Sequence, residues 1–123
     1  MDKFFEIGYL FDFYGNLLSK KQYDAVELYY IHDLSLGEIS EQLDISRQGV
    51  YDIIKRAEKK LYSFEEKLGL VKKFNNSIVN MEEILKYINN LKNNQNVYND
   101  KNSMVQIKGI EKLVLDILKT TRR

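Results

Sequence analysis

The chain has 123 residues, of which 44% are hydrophobic, and its formal net charge is +1. It contains no cysteine, no proline and one histidine, which excludes disulfides and thiolate zinc sites and favours long, uninterrupted helices. No apolar run approaches the roughly 18 residues of a membrane-spanning helix. We therefore expect an all-α cytoplasmic protein with no membrane insertion, no cofactor and no metal.

Charge is distributed unevenly along the chain. Residues 1–46 carry three basic and nine acidic side chains, residues 47–73 carry eight and four, and residues 74–123 carry eight and five. The formal charge therefore changes from −6 in the first segment to +4 in the second. A positive region that begins at position 47 suits an anionic partner such as a nucleic acid.

The first predicted helix runs from Phe4 to Leu18, where apolar residues recur at helical spacing. Further aromatic and aliphatic residues on its other sides predict that this helix is buried nearly all round. Alternatively, its surplus aromatic face forms the interface of a homodimer. Ser19 predicts the N-cap of a second helix over residues 20–32. His32, at the end of that helix, is interpreted as a partner of the helix dipole rather than as a catalytic base.

Two serine caps place the starts of the next two helices. Ser35 and Glu38 predict a capping box before a short third helix over residues 36–43. Ser46 predicts the N-cap of a fourth helix, which starts at Arg47.

The segment between these helices has the residue spacing of a helix-turn-helix. Asp44 occupies the turn position that often adopts the left-handed conformation, which aspartate tolerates better than most residues. The core and close-approach positions of the motif are all filled suitably, by Ile39, Ser40, Leu43, Ile45, Val50 and Ile53.

Two apolar seams follow the motif. Apolar residues alternate at intervals of three and four from Val50 to Leu68, and again from Val71 to Ile88. This spacing is that of a heptad repeat. Gly69 lies between the seams and predicts a C-cap or a hinge. The simplest arrangement is an antiparallel hairpin of the fourth and fifth helices, although two chains could instead pair these seams between them.

Residues 89–103 are rich in asparagine and poor in apolar anchors, which predicts a loop. A final helix is predicted over residues 104–120. The predicted domains are a helix-turn-helix head with the long reader helix, residues 1–68, and a helical tail that includes the Asn-rich loop, residues 69–123. The fold class is thus all-α: a tri-helical head, a long helical hairpin and a C-terminal helix.

The N-terminal part of the fourth helix is the predicted nucleic-acid site. In a helix-turn-helix, the first residues of the second helix meet base edges in the major groove. Arg47 can bond to guanine and Gln48 to adenine, and Gly49 allows close approach of the backbone. Tyr51 is a further predicted base contact. Phosphate contacts are predicted further along the helix, at Lys55, Arg56, Lys59 and Lys60.

The alternative interpretation is a solvated helix in a protein-binding or purely structural motif. Asp52 lies among the predicted base contacts and would repel phosphate, and Glu58 interrupts the lysines. The sequence contains no phosphate-cradling glycine loop, nucleophile elbow or metal-ligand spacing. We therefore expect no catalytic residues and no enzyme activity.

Residues 18–61 resemble the C-terminal promoter-reading domain, region four, of bacterial sigma factors. That domain ends in a basic Arg-Ala-x-x-Lys-Leu segment, which is matched here by Arg56, Ala57, Lys60 and Leu61. Over residues 1–90, the chain resembles the YlxM family of small helical bacterial proteins, which are encoded beside signal recognition particle genes. The resemblance is specific in "LFDFYGNLLSKKQ" and "ISRQGVYDIIKRAEKKL".

The resemblance implies a regulatory role in the signal recognition particle pathway. The implied ligand is promoter DNA, the particle's RNA or its GTPase protein. The residues carried over as readers are Arg47, Gln48, Gly49 and Tyr51. Two functions follow as predictions: a nucleic-acid-binding regulator, or an adaptor that binds the particle's GTPase without sequence-specific DNA binding. A homodimer is expected.

Overall fold

The computed structural model of the protein describes residues 2–121. These residues form helices and short connections with no β-strand among them, which confirms the all-α class. The chain divides into two compact units, Met1–Val71 and Lys72–Arg123. Across the described residues, no helix combines the length and the apolar character that crossing a membrane requires.

Four α-helices build the first unit. They are α1 (Lys3–Tyr14), α2 (Lys20–Val26), α3 (Leu36–Leu43) and α4 (Arg47–Leu68). A 3-10 turn follows α1 at Gly15–Leu17, and α2 continues into a π-helical segment at Glu27–Ile31. The second, third and fourth helices therefore begin where the sequence predicts them to begin.

Side-chain caps explain these starting points. Ser19 and Ser35 each form a complete capping box, with Gln22 and Glu38 respectively. Ser46 caps α4, as predicted. The backbone hydrogen bond from Ser35 lowers the pKa of Glu38, so this carboxylate is held ionised at the start of α3, where the helix dipole favours negative charge.

The core of the first unit forms where α1, α2 and α3 pack against α4. Ile39, Val50 and Leu61 are fully buried there. Burying one such side chain stabilises a fold by about 1.5–3 kcal/mol. Since three helices contact α4, they hold it in one orientation. The same cluster contains Ile7, Leu10, Phe11, Tyr14, Leu18, Ala25, Val26, Tyr30, Ile54 and Ala57.

The prediction that the first helix is buried nearly all round is wrong. Ile7, Leu10 and Phe11 are buried, but Phe5 is 67% exposed and Leu17 is 57% exposed. Neighbouring helices cover only one side of α1. The apolar composition of a helix does not determine how many other helices pack around it, so the other side stays exposed.

A polar network fixes the end of α4 within the first unit. Gly69 adopts the left-handed conformation (φ 63°) and ends α4, which confirms the predicted C-cap. The Tyr14 hydroxyl donates to Glu65 at 2.6 Å and accepts from the backbone N–H of Leu70 at 3.1 Å. Glu65 also accepts from the N–H of Val71 at 3.0 Å. Two backbone amides after the cap are thereby satisfied. Burial, together with the bond to Glu65, raises the pKa of Tyr14.

The remaining helices are α5 (Leu70–Lys92), α6 (Gln95–Tyr98) and α7 (Lys101–Thr121). In the second unit, an ion pair of 3.2 Å joins Lys92 of α5 to Glu111 of α7. The buried apolar side chains of the second unit include Ile88, Ile107 and Val114. The predicted antiparallel pairing of α4 with α5 stays a prediction.

The predicted loop over residues 89–103 is wrong. Among these residues only 93, 94, 99 and 100 lie outside a helix. Asn94 caps α6 by accepting hydrogen bonds from the backbone N–H groups of Asn96 and Val97. The Asp100 carboxylate accepts from the Ser103 hydroxyl at 2.6 Å, at the start of α7. Short polar side chains end and restart helices here, and composition alone does not distinguish that role from an open loop.

Candidate nucleic-acid interface

The turn between α3 and α4 has the predicted conformation. Asp44 is left-handed, with φ 56° and ψ 46°, and its N–H donates to the carbonyl of Ser40. The N–H of Ile45 donates to the same carbonyl at 3.1 Å. At the start of α4, Ser46 Oγ accepts from the N–H of Gly49 at 2.9 Å. These bonds close the turn and leave the start of α4 well defined.

The predicted anchor residues lie beneath this turn. Ile39 and Val50 are fully buried, and Leu43, Ile45 and Ile53 pack against the same core while partly exposed. The small core of the motif is therefore confirmed. It holds α4 so that one side faces α1, α2 and α3 and the opposite side faces solvent.

The predicted reader side chains lie on or beside the solvent-facing side. At 100° per residue, positions 48, 52, 55, 56 and 59 lie on the face opposite the buried positions 50, 54, 57 and 61, and position 51 lies on the flank between the two faces. All of the predicted contact residues are exposed, since the exposed residues over positions 47–60 are Arg47, Gln48, Tyr51, Asp52, Lys55, Arg56, Lys59 and Lys60. Lys60 Nζ also donates to Gln22 Oε1 of α2 at 3.3 Å.

Arg47 lies on the flank of α4 that faces α3. Its guanidinium covers Gly37, so that a Cβ added at Gly37 would lie 3.1 Å from Arg47 Nε and 3.2 Å from one terminal nitrogen. Gly37 is the second residue of α3. The absence of a side chain there gives the guanidinium the space that it occupies, which sequence spacing alone does not reveal.

Two side-chain contacts constrain the residues on the exposed side of α4. Gln48 Nε2 donates to Asp52 Oδ1 at 3.0 Å, one turn further along the helix. The Lys55 ammonium lies 5.5 Å from the centre of the Tyr51 ring, within the range of a cation–π contact. Asp52, which lies among the predicted base contacts although its charge would repel phosphate, therefore has a hydrogen-bond partner in Gln48.

Gly49 has a local role at the cap. A Cβ at this position would lie 3.1 Å from Ser46 Oγ, the atom that caps α4. A side chain at Gly49 would crowd the Ser46 hydroxyl, so glycine at this position allows the N-cap of α4 to form. Whether its backbone also approaches DNA stays a prediction.

Glu58 is a buried charged residue that the sequence pattern did not predict. It is 6% exposed, accepts from the Tyr30 hydroxyl at 2.8 Å and pairs with Lys3 at 2.9 Å and Lys55 at 3.6 Å. Burial raises the pKa of this carboxyl, but the bonds from Lys3 and Tyr30 outweigh it, so the pKa lies below its ordinary value. The available signal was the interval of four from Val50 through Ile54 to position 58, on the apolar side of α4.

An open pocket of about 360 Å³ adjoins this buried carboxylate. Three lysines and two glutamates contribute to its lining, which consists of Lys3, Lys55, Glu58, Lys59, Tyr62, Ser63 and Glu66. Burial and a hydrogen bond to Glu6 raise the pKa of Tyr62 to about 12. The pocket lies further along α4 from the turn, and Lys55 and Lys59 belong both to its lining and to the predicted phosphate contacts.

These features define a helix-turn-helix protein in which the second helix of the motif exposes one polar face. The comparison with protein families agrees: residues 1–113 match the model described as "Putative helix-turn-helix protein, YlxM / p13 like". The chain belongs to this family, UPF0122, which confirms the resemblance to YlxM-like proteins. The family description names a helix-turn-helix protein and not a class of enzyme.

Individual relatives carry the same family name. The chain is 56% identical over 87 residues to a UPF0122 protein of Thermoanaerobacter sp. strain X514, a match that covers 71% of this chain and 74% of the relative. It is 40% identical over 116 residues to a UPF0122 protein of Desulforamulus reducens, covering 94% and 96%. A relative from Oceanobacillus iheyensis is 52% identical over 84 residues, covering 68% and 80%.

Proposed function

We propose that this protein is a nucleic-acid-binding regulator that places the N-terminal turns of α4 in the major groove of duplex DNA. The observation that carries the proposal is the capped, left-handed turn between α3 and α4. It presents one polar face of α4 to solvent while the opposite face is buried. That is the geometry with which helix-turn-helix proteins dock on DNA.

The side chains divide by their distance from the turn. Gln48 and Tyr51 lie in the first two turns of α4, where base edges come within reach. Lys55, Arg56 and Lys59 follow one to three turns later and suit phosphate oxygens. Arg47, held over Gly37, lies between the two helices and can meet either a guanine edge or a phosphate.

Salt dependence tests the proposal. With four to six phosphate contacts, the logarithm of the affinity for duplex DNA should fall with the logarithm of salt concentration with a slope of about −4 to −5. Replacing Arg47 and Gln48 together with alanine should weaken binding to a selected site much more than binding to random duplex. The control is Lys21→Ala, which removes one positive charge from an exposed position of α2.

Two outcomes oppose the proposal. Absence of binding to duplex DNA and to the signal recognition particle RNA at low salt would remove it. Equal losses on selected and random duplex would show that Arg47 and Gln48 contribute to general affinity, Arg47 through its charge, without a reading role. RNA binding alone would keep the regulator but replace the major groove of DNA with a different target, since side chains cannot enter the deep groove of A-form RNA.

A second candidate function is an adaptor for the signal recognition particle GTPase. The observation that favours it is apolar exposure in the second unit, where Tyr87, Val105 and Leu113 are each at least 65% exposed. Capture of that GTPase from a lysate after nuclease treatment would support the adaptor. Capture that disappears with nuclease would support nucleic acid as the link.

We propose in addition that the protein is a homodimer. The exposed aromatic side chains of α1, Phe5 and Tyr9, supply apolar surface that a second copy could cover. Sedimentation equilibrium of the chain and of a Phe5→Ser/Tyr9→Ser variant checks this. A monomeric mass for the unaltered chain at high concentration would contradict it.

A further inference from the structure

We infer that Gln48 and Asp52 read one base together, and that this pair selects a base with an amino group in the major groove, adenine or cytosine, against guanine. The inference rests on the proposed function and concerns the specificity of the same site. It assigns a base-reading role to Asp52, the residue that simple electrostatics would exclude from a DNA interface.

The geometry of the pair sets the orientation of the Gln48 amide. Nε2 donates to Asp52 Oδ1 at 3.0 Å, and both side chains are exposed on the face of α4 opposite the core. An amide group is planar, with its oxygen and nitrogen on opposite branches. Because Nε2 faces Asp52, Oε1 points away from the carboxylate. The two side chains constrain each other, and less conformational freedom remains to be lost on binding.

The pair offers mainly hydrogen-bond acceptors. An ionised aspartate accepts only, and the Gln48 amide retains its carbonyl oxygen and one N–H beyond the bond to Asp52. In the major groove, adenine offers a donor at N6 and cytosine a donor at N4. Guanine presents two acceptors, O6 and N7, and thymine presents an acceptor and a methyl group. Acceptors that face the Asp52 carboxylate would be repelled, so guanine is the base most strongly rejected.

Adenine and cytosine would use the pair differently. Adenine can accept the remaining Gln48 N–H at N7 and donate from N6 to Oε1, which gives two bonds. Cytosine can donate from N4 to a carboxylate oxygen of Asp52, which gives one. Replacement of Gln48 by glutamate removes the N–H that adenine N7 needs and keeps the acceptors. This variant should therefore shift the preference toward cytosine if the unaltered chain selects adenine.

The Asp52 carboxylate should also lower the overall affinity for DNA, and this effect allows its role to be measured. A negative charge close to the DNA backbone lowers affinity for every sequence. Specificity is a difference between affinities, and a group that repels the wrong base can supply it. Removal of Asp52 should therefore leave total affinity unchanged or higher while it reduces discrimination at one base position. A residue with a merely structural role would not produce this combination.

The experiment selects binding sites from a random duplex library with the full chain at fixed salt concentration. The unaltered chain should favour adenine or cytosine over guanine by about tenfold or more at one position. Asp52→Ala should reduce that ratio several-fold and leave the other positions unchanged. Asp12→Ala, which removes the same charge from an exposed position of α1, should leave every preference unchanged. Circular dichroism confirms that each variant folds.

The outcomes separate this inference from the proposed function. If Asp52→Ala and the unaltered chain select the same sequences, the inference is wrong and the proposed function stands. The same holds if the position that depends on Gln48 prefers guanine or thymine. If the unaltered chain binds no duplex DNA at low salt, this inference fails together with the proposed docking of α4 in the major groove, and binding to RNA then decides whether the chain is a nucleic-acid-binding regulator at all.

Discussion

The two units of the chain use the same helical periodicity with different results. In the first unit, apolar positions from α1, α2, α3 and α4 join one buried cluster. In the second, α7 buries Ile107 and Val114, but Ile110, which lies between them on the same face of the helix, is 50% exposed. Apolar spacing therefore identifies a helix in both units, but it identifies a core only where several helices converge on one of them.

This difference fits the two units to the different roles that we propose for them. A reader helix needs a rigid support, because a hydrogen bond to a base edge tolerates little displacement. The first unit supplies that support by packing three helices against α4. The exposed apolar side chains of the second unit are suited to contact with another protein. Matched substitutions, one in each unit, test whether the two units differ in this way.

The largest contrast is expected for two leucines. Leu61 is fully buried, and its replacement by alanine should lower the free energy of unfolding of the first unit by about 2–5 kcal/mol. Leu113→Ala should change the stability of the second unit by less than about 0.5 kcal/mol, because most of that side chain is already in water. Hydrogen exchange of backbone amides measures each unit separately. A large loss with Leu113→Ala would show that a partner covers it.

Two glutamates give the second contrast. Glu58→Gln removes a buried carboxylate that holds the Tyr30 hydroxyl and two lysines, and should cost about 1–3 kcal/mol at pH 7. Glu111→Gln, in the partly exposed pair with Lys92, should cost about 1 kcal/mol or less. Thermal unfolding of both variants, followed in each unit, measures the difference.

The Glu58 prediction has a pH dependence with a definite sign. The pKa of Glu58 is lower in the folded chain than its ordinary value. Its contribution is therefore fully present above the unfolded pKa, about 4.3, and is lost as the pH falls through the folded pKa. Glu58→Gln should flatten the acid limb of the stability curve of the first unit. An unchanged acid limb would show that other carboxylates determine it.

Two helical glycines give the smallest contrast in stability. A Cβ at Gly109 meets no atom within 4 Å, so Gly109→Ala should stabilise α7 by about 0.5–1 kcal/mol and leave DNA binding unchanged. Gly37→Ala should be neutral or mildly stabilising, because the guanidinium it meets can move aside. It should nevertheless weaken DNA binding several-fold by displacing Arg47. Unchanged binding by Gly37→Ala would show that the position of Arg47 over α3 is not needed.

The helix-turn-helix was predictable because its signals are local. Ser35 and Ser46 satisfy amides within their own helix turns, and Asp44 adopts a conformation set by its own backbone. The Asn-rich segment was wrongly predicted as a loop because the signal of its asparagines is local but ambiguous. Asn94 can cap a helix or occupy a loop, and the outcome depends on whether the next residues find something to pack against.

The residues in their order were enough to predict the helical class, the serine caps of α2, α3 and α4, and the solvent-facing position of Gln48. All of these follow from bonds or periodicities that span a few residues. Tertiary structure alone decided which apolar side chains are buried, that Glu58 joins Lys3 and Tyr30, and that Arg47 rests on Gly37. Those contacts join residues distant in the chain. Their formation depends on which helices meet, and no local pattern of residues encodes that choice.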